Sequence, residues 1–147
     1  PYNNYRLAQP EHGFKDIVRP GHVNSDLLRY ELHRVWAIEG NLKPGYRHLS
    51  PRRVVYVDED SWSGLASDMY DARGDLWRVM EGYVLNYYDM PLMHHYGDDH
   101  VDIISGRHAS NGGFSAVGGD PKNLPNFHVM PDPEIQTPAG LRKYGMR

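Results

Sequence analysis

Three consecutive carboxylates, Asp58, Glu59 and Asp60, precede Trp62 in the stretch YVDEDSW. Carboxylates at this density could bind a divalent cation or transfer protons. In an extended strand, however, alternate side chains point to opposite faces, so the three converge only where the backbone folds around them. Aspartate is also common in turns, where it accepts hydrogen bonds from nearby amides. We interpret the stretch as a turn between two strands, and an ion site is the alternative.

The densest set of metal-ligating side chains lies in MHHYGDDHVDIISGRH: His94, His95, Asp98, Asp99, His100, Asp102 and His108. Imidazole and carboxylate groups bind zinc, nickel and iron. The spacing matches no H-E-x-x-H motif, and adjacent histidines in an extended segment point to opposite sides. We expect a polar loop that faces solvent or a partner, and a metal-dependent enzyme at His94–His108 is a further alternative. No catalytic residue, metal ligand or cofactor is predicted.

Other catalytic signatures are missing from the sequence. There is no cysteine, which excludes thiolate chemistry and cysteine-based zinc sites. No G-x-S-x-G nucleophile elbow is present. The stretch NGGFSAVGGD is rich in glycine but lacks the residue order of a phosphate-binding loop, so it is interpreted as a flexible loop.

A distributed set of aromatic residues is the predicted ligand-binding surface: Trp36, Tyr56, Trp62, Tyr70, Trp77 and Tyr83. One or two of them fall on each predicted strand, so they could form a stripe on one face of a sheet. Such a stripe either packs as core or lines a concave apolar surface for a lipid or an acyl chain.

Four strands are predicted to carry these groups, over residues 29–40, 52–57, 62–70 and 75–88. The first shows period-two alternation, which is typical of a half-buried strand. Asn41, Pro44, Gly45 and Gly74 supply turn chemistry between the strands. Consecutive strands with short connections favour an antiparallel meander. Gly82, inside the fourth strand, indicates a bulge or a close approach of two backbones.

The chain divides into three predicted segments. Residues 1–28 form an extended lead-in, 29–104 the antiparallel β-meander, and 105–147 a Gly/Pro-rich tail that wraps over neighbouring surface. Within the tail, TPAGLRKYG predicts a short helix that Thr137 caps and Pro138 begins.

Length and charge restrict the class of protein. The chain has 147 residues, 39% of them hydrophobic, with a net charge of −3. This is the size of one domain, and no apolar run approaches the roughly 20 residues that span a bilayer. Because acidic and basic residues are spread along the chain, we predict no nucleic-acid partner.

Three ordered motifs resemble the carboxy-terminal part of a bacterial family of unknown function: VNSDLLRYELHRVWAIEGNLKPGYRH, RRVVYVDEDSW and YDARGDLWRV. The family is described as outer-membrane lipoprotein-sorting-like and is similar to the LolA/LolB carriers. PYNNYRL and GLRKYG are also similar to its pattern. The matching positions include Arg34, Trp36, Asp58, Glu59, Asp60, Trp62, Tyr70, Asp71, Gly74, Leu76 and Trp77.

This resemblance implies a mainly β fold, in which the meander forms part of an open Lol-like β-barrel and the chain corresponds to about the last third of longer members. It implies a non-enzymatic protein that binds lipid, lipoprotein acyl chains or another hydrophobic ligand. The implied location is periplasmic, with association to the outer membrane. The alternative is a structural accessory subunit that docks on a larger protein complex through its lead-in and tail.

Overall fold

A six-stranded antiparallel meander forms the body of the protein. The computed structural model describes residues 1–88, 90–112 and 132–145. Each strand of the sheet pairs with the next along the chain, in the order β3 (Val35–Asn41), β4 (Arg52–Asp58), β5 (Gly64–Tyr70), β6 (Leu76–Tyr87), β7 (Leu92–Asp102) and β8 (His108–Gly112). Because β3 and β8 do not pair with each other, the sheet stays open. The predicted mainly β fold with an open antiparallel meander is confirmed.

The first 28 residues are more structured than the predicted extended lead-in. They form two 3-10 turns (Tyr5–Ala8 and Ser25–Leu27), α1 (Phe14–Ile17) and a hairpin of β1 (Val18–Arg19) and β2 (His22–Val23). Local periodicity does not reveal these short elements, because their stability comes from contacts with the sheet.

The lead-in contributes three of the four residues of a buried hydrophobic cluster. Leu7, Ile17 and Val23 are buried against Tyr83 of β6. The amide of Asn4 donates to the carbonyl oxygen of Val84 at 2.8 Å, so the start of the chain continues the hydrogen bonding of β6 beyond Gly64, where β5 begins. The apolar face of the sheet is therefore covered at the β6–β7 end.

Strand β3 differs from its prediction. It begins at Val35 rather than at residue 29, and all seven of its residues are exposed, including Trp36 and Ile38. The predicted half-buried strand is wrong because β3 is the edge of the sheet and no second layer covers it within the described residues.

Beyond residue 88 the structure also departs from the predicted polar loop and tail. The histidine-rich segment forms β7, and β8 lies inside the segment assigned to the tail. Glycine does not prevent pairing here: a Cβ on Gly112 would lie 2.5 Å from Cα of Gly97, so two glycines let the strands approach. Most of NGGFSAVGGD, from residue 113 onward, lies outside the described residues.

Gly82 has the close backbone approach that its position in a strand indicates. A Cβ at this position would lie 2.6 Å from the carbonyl oxygen of Gly64 at the start of β5. One residue later the register of β6 and β7 shifts between Tyr83 and Val84, which leaves Tyr96 as an extra residue on β7.

Helix α2 (Pro138–Gly145) occupies the segment in which the sequence predicts a helix. The Thr137 hydroxyl oxygen accepts from the amide of Gly140 at 3.0 Å, which caps its first turn. Among the described residues, no helix has the length and hydrophobicity that a membrane span requires. The division into lead-in, meander and tail at residues 28 and 104 stays a prediction.

Candidate functional site

A cavity of about 590 Å³ lies between the lead-in and one face of the sheet. Its volume is within the range of about 300–1,000 Å³ that is typical of small-molecule sites. The walls come from the lead-in and from β5, β6 and β7: His22, Val23, Ser25, Leu28, Tyr30, Ala66, Asp68, Val79, Met80, Glu81, Tyr83, Asp99 and Val101.

Strand register explains which residues form the floor of the cavity. Val79 lies opposite Val101, and Glu81 lies between Ala66 on β5 and Asp99 on β7. Since side chains two apart on a strand share a face, these residues all point to the same side of the sheet. Val23 and Leu28 of the lead-in cover them with apolar groups, so the cavity has an apolar roof over a floor that combines apolar side chains with carboxylates.

Among the described residues, three carboxylates line the cavity and no lysine or arginine does. Asp68 accepts from the Tyr56 hydroxyl at 2.8 Å. Asp99, which is 5% exposed, accepts from the Ser110 hydroxyl at 2.7 Å and lies 3.2 Å from Nδ1 of His108. The polar part of the cavity is therefore acidic.

The third carboxylate, Glu81, lies between two tyrosines. The hydroxyls of Tyr30 and Tyr83 both lie 3.4 Å from its carboxylate oxygens. Burial, followed by the charge of Glu81, raises the pKa of Tyr30 to about 12. The same two causes raise the pKa of Tyr83. Both phenols therefore stay protonated at neutral pH and can donate hydrogen bonds.

The six predicted aromatic residues do not form a single stripe. Tyr56 lies opposite Ala37, whereas Trp36 lies opposite Val57, so these two side chains are on opposite faces of the sheet. The prediction that all six lie on one face of the sheet is wrong, because adjacent residues of a strand point to opposite faces. Of the six, only Tyr83 lines the cavity.

The other predicted aromatic residues have separate surroundings. Tyr70 lies under the guanidinium of Arg52, at 4.1 Å. The indole of Trp77 donates to Asp102 at 2.9 Å. Trp62 is 72% exposed and has a φ of 57°. Tyr56 touches the cavity indirectly, through its hydrogen bond to Asp68.

The histidine-rich segment separates into two groups. The extra residue Tyr96 places His95 on the same side as Asp98, and the carboxylate of Asp98 contacts His95 at 3.1 Å and His100 at 2.7 Å. Asp99 faces the other side, toward His108. Although the segment is dense in metal-ligand types, alternation divides them between the two faces of β7, and within the described residues it does not bring three of its ligand atoms within 4.8 Å of one another.

The acidic stretch is a turn, as predicted. Asp58 is fully buried, and its Oδ2 accepts from the amide of Ser61 at 2.8 Å and from its hydroxyl at 2.6 Å. Burial favours a higher pKa, but the hydrogen bonds from Ser61 and the neighbouring His33 outweigh it, so the pKa of Asp58 is lower than usual.

His33 is the residue of this turn that sequence reasoning missed. Its Nδ1 lies 2.9 Å from Oδ1 of Asp58 and 3.6 Å from Oδ2 of Asp60. In a catalytic triad the histidine lies between the serine and the aspartate and takes the serine proton. Here Asp58 lies between Ser61 and His33, so the imidazole cannot take that proton. The pairing of Val35 with Asp58 could have located His33, because it brings the residues before β3 beside the turn.

Comparison with known proteins gives a family match. A family model described as "Protein of unknown function (DUF1329)" matches residues 1–128. The chain is 41% identical over 147 residues to "Uncharacterized protein PA3922" of Pseudomonas aeruginosa. The match covers all of this chain and 31% of that relative, so the chain spans about a third of its length.

Two solved structures are similar over 52% of this chain at 17% identity. One is a Vibrio parahaemolyticus domain provisionally described as an outer membrane lipoprotein-sorting protein, with a TM-score of 0.43 over 32% of its chain. The other is a DUF1329 family protein from Desulfovibrio piger, with a TM-score of 0.44 over 31% of its chain.

Proposed function

We propose that this chain, which belongs to the DUF1329 family of proteins of unknown function, binds a hydrophobic ligand between its lead-in and its sheet. The family resemblance predicted from the motifs is confirmed by the match over residues 1–128. The single observation that supports binding is the 590 Å³ cavity with apolar groups on its floor and roof. The proposed role is ligand binding without catalysis.

The lining selects among hydrophobic ligands. In the part of the chain that the structure describes, three carboxylates and no lysine or arginine face the cavity, so a free fatty acid or an anionic headgroup would meet like charge. An acyl chain in ester or amide linkage carries no charge at that end, and its carbonyl can accept from Tyr30 or Tyr83 when that hydroxyl turns from its 3.4 Å contact with Glu81 to the ligand. We infer that the ligand is an acyl group in this linked form, as in a lipid or lipoprotein.

The predicted aromatic site is revised accordingly. Tyr83 belongs to the proposed cavity, and Tyr56 supports it through Asp68. The ligand-binding roles of Trp36, Trp62, Tyr70 and Trp77 stay predictions. The periplasmic location, with association to the outer membrane, also stays part of this proposal, and cell fractionation tests it.

A fluorescence titration tests the proposed cavity. We expect dansylaminoundecanoic acid methyl ester to bind the isolated chain, and the corresponding free acid to bind more weakly. Leu28→Ala removes apolar contacts from the roof; at about 0.8 kcal/mol per buried methylene, it should weaken binding of the ester about tenfold or more.

The neighbouring Leu27→Ala is the matched control. Leu27 and Leu28 both pack against the same core, but only Leu28 lines the cavity. Leu27→Ala should lower stability while leaving the affinity for the ester within about twofold of wild type. Equal affinities of the two variants, or no binding of the ester by wild type, would reject the cavity as the binding site.

The second candidate function is that of an accessory subunit, and the exposed strand β3 favours it. Trp36 and Ile38 are 53% and 54% exposed on an edge strand, which isolated proteins normally cover or pair. In that case the isolated chain binds neither dansyl probe, and Trp36→Lys prevents its co-elution with a larger complex from its source.

A further inference from the structure

We propose that His33, Asp58 and Asp60 bind one divalent transition-metal cation, with zinc as the best match. Each offers one ligand atom, and the three atoms lie within 4.8 Å of one another. Tetrahedral zinc bonds of about 2.0–2.2 Å place neighbouring ligand atoms about 3.3–3.6 Å apart. The distances of 2.9 and 3.6 Å from Nδ1 of His33 to the two aspartates are close to these values.

Strand pairing brings the ligands together from two segments of the chain. Val35 pairs with Asp58, and the amide of Glu59 donates to the carbonyl oxygen of Arg34 at 3.2 Å. His33 therefore lies beside the turn that follows β4. Asp58 is the last residue of β4 and Asp60 lies two residues further, in the turn, so both carboxylates can reach the imidazole.

The surroundings of His33 match those of metal-bound histidines. A histidine that binds a metal through one ring nitrogen commonly donates through the other to a carboxylate. Here Nε2 lies 3.5 Å from Oε2 of Glu31, which in turn forms an ion pair with Arg29. The ring of Tyr2 stacks on the imidazole at a centroid distance of 3.7 Å. The ring orientation is thus fixed, with Nδ1 toward the two aspartates.

Asp58 is also oriented for binding through one oxygen. Its Oδ2 is occupied by the amide and hydroxyl of Ser61, so Oδ1 faces His33. The carboxylate is fully buried, which makes a compensating positive charge favourable. A divalent cation would compensate both aspartates at once, whereas a protonated imidazole compensates one charge.

The donor set indicates the class of metal. One imidazole nitrogen with two carboxylate oxygens suits zinc or manganese, whereas calcium and magnesium favour oxygen ligands alone. Three protein ligands leave at least one coordination position open. Asp60 is exposed and, with Tyr2 and Ser61, borders a second cavity of about 500 Å³. The open position therefore faces a space in which water or a ligand group can bind the cation.

This inference is independent of the proposed acyl site. The second cavity is also lined by Asn86, Tyr88, Pro91, Leu92 and Met93, and within the described ranges it shares no lining residue with the first. Failure of acyl binding therefore leaves the metal proposal intact, and the reverse also holds.

Isothermal titration of the chelator-stripped full chain with Zn²⁺, with metal content measured by mass spectrometry, tests the site. Wild type should bind one equivalent. Asp60→Asn should weaken binding at least tenfold, and its side chain is 81% exposed, so the fold should be retained. Glu59→Gln removes the same charge from the adjacent residue, which pairs with Arg34, and should bind like wild type.

His33→Gln provides a second test, with circular dichroism of each variant as the check on folding. It should abolish the binding of the one equivalent. The proposal is overturned if wild type binds no zinc, or if Asp60→Asn and Glu59→Gln bind it equally well. It is also overturned if binding survives in His33→Gln and disappears in His95→Gln, because the cation would then lie at Asp98.

Discussion

Replacing Gly82 by alanine tests how closely β5 and β6 must approach beside the cavity. The added Cβ would lie 2.6 Å from the carbonyl oxygen of Gly64, whereas ordinary contacts begin at 3.4 Å. The overlap of about 0.8 Å is against backbone, which cannot rotate away. Overpacking of this kind costs about 1–3 kcal/mol.

The matched control is Gly40→Ala in β3. Gly40 is also a strand glycine, but nothing lies within 4 Å of the Cβ that it would gain. Because alanine loses less backbone entropy on folding, this change should stabilise the protein by about 0.5–1 kcal/mol.

Thermal unfolding followed by circular dichroism measures both variants. For a chain of this size, 1 kcal/mol corresponds to a shift of about 4 °C in Tm. We expect Gly82→Ala to lower Tm by about 4–12 °C and Gly40→Ala to raise it by about 2–4 °C. If both variants shift Tm in the same direction by similar amounts, the close approach at Gly82 does not constrain the sheet.

Three further predictions concern charge and exposure. The pKa of Tyr30 is about 12 and that of Tyr83 is also raised, so the free energy of unfolding in urea should fall as the pH rises from about 10 to 12. Absorbance at 295 nm should show tyrosine ionisation at unusually high pH, and Tyr30→Phe should reduce that part of the signal. Hydrogen bonds from the amide of Ser105, from Trp77 and from Arg78 lower the pKa of Asp102 to about 2, so the stability that this carboxylate contributes should be lost as the pH falls from about 4 to 2. Asp102→Asn should make the free energy of unfolding in urea less dependent on pH over that range. Trp36→Lys on exposed β3 should change the free energy of unfolding by no more than about 0.5 kcal/mol; a larger loss would show that β3 is covered in solution.

The meander could be predicted because its information is local. Valine and aromatic residues mark β4 and β6, and Gly45 and Gly74, both with positive φ, mark turns between strands. The DEDSW turn is equally local, since Asp58 accepts hydrogen bonds from a serine three residues ahead. These features depend on residues that are close in sequence, so the sequence pattern predicts them.

The lead-in and the cavity depend on contacts that the pattern does not carry. Leu7, Ile17 and Val23 belong to irregular segments and become core only when they meet Tyr83, some 60 or more residues away. The strands β7 and β8 were missed because their polar residues satisfy one another across the pair, as Asp99 does with Ser110. His33 was missed for a similar reason: its partners become neighbours only after β3 and β4 pair.

Native mass spectrometry of the isolated chain with an acyl ester tests the proposed function most directly. The chain should appear near 16.9 kDa with one bound ester, and organic extraction should release it. Leu28→Ala should reduce the bound fraction, and Leu27→Ala should retain it. A chain that stays free of ester at every concentration, or that binds it equally well in both variants, would contradict the account.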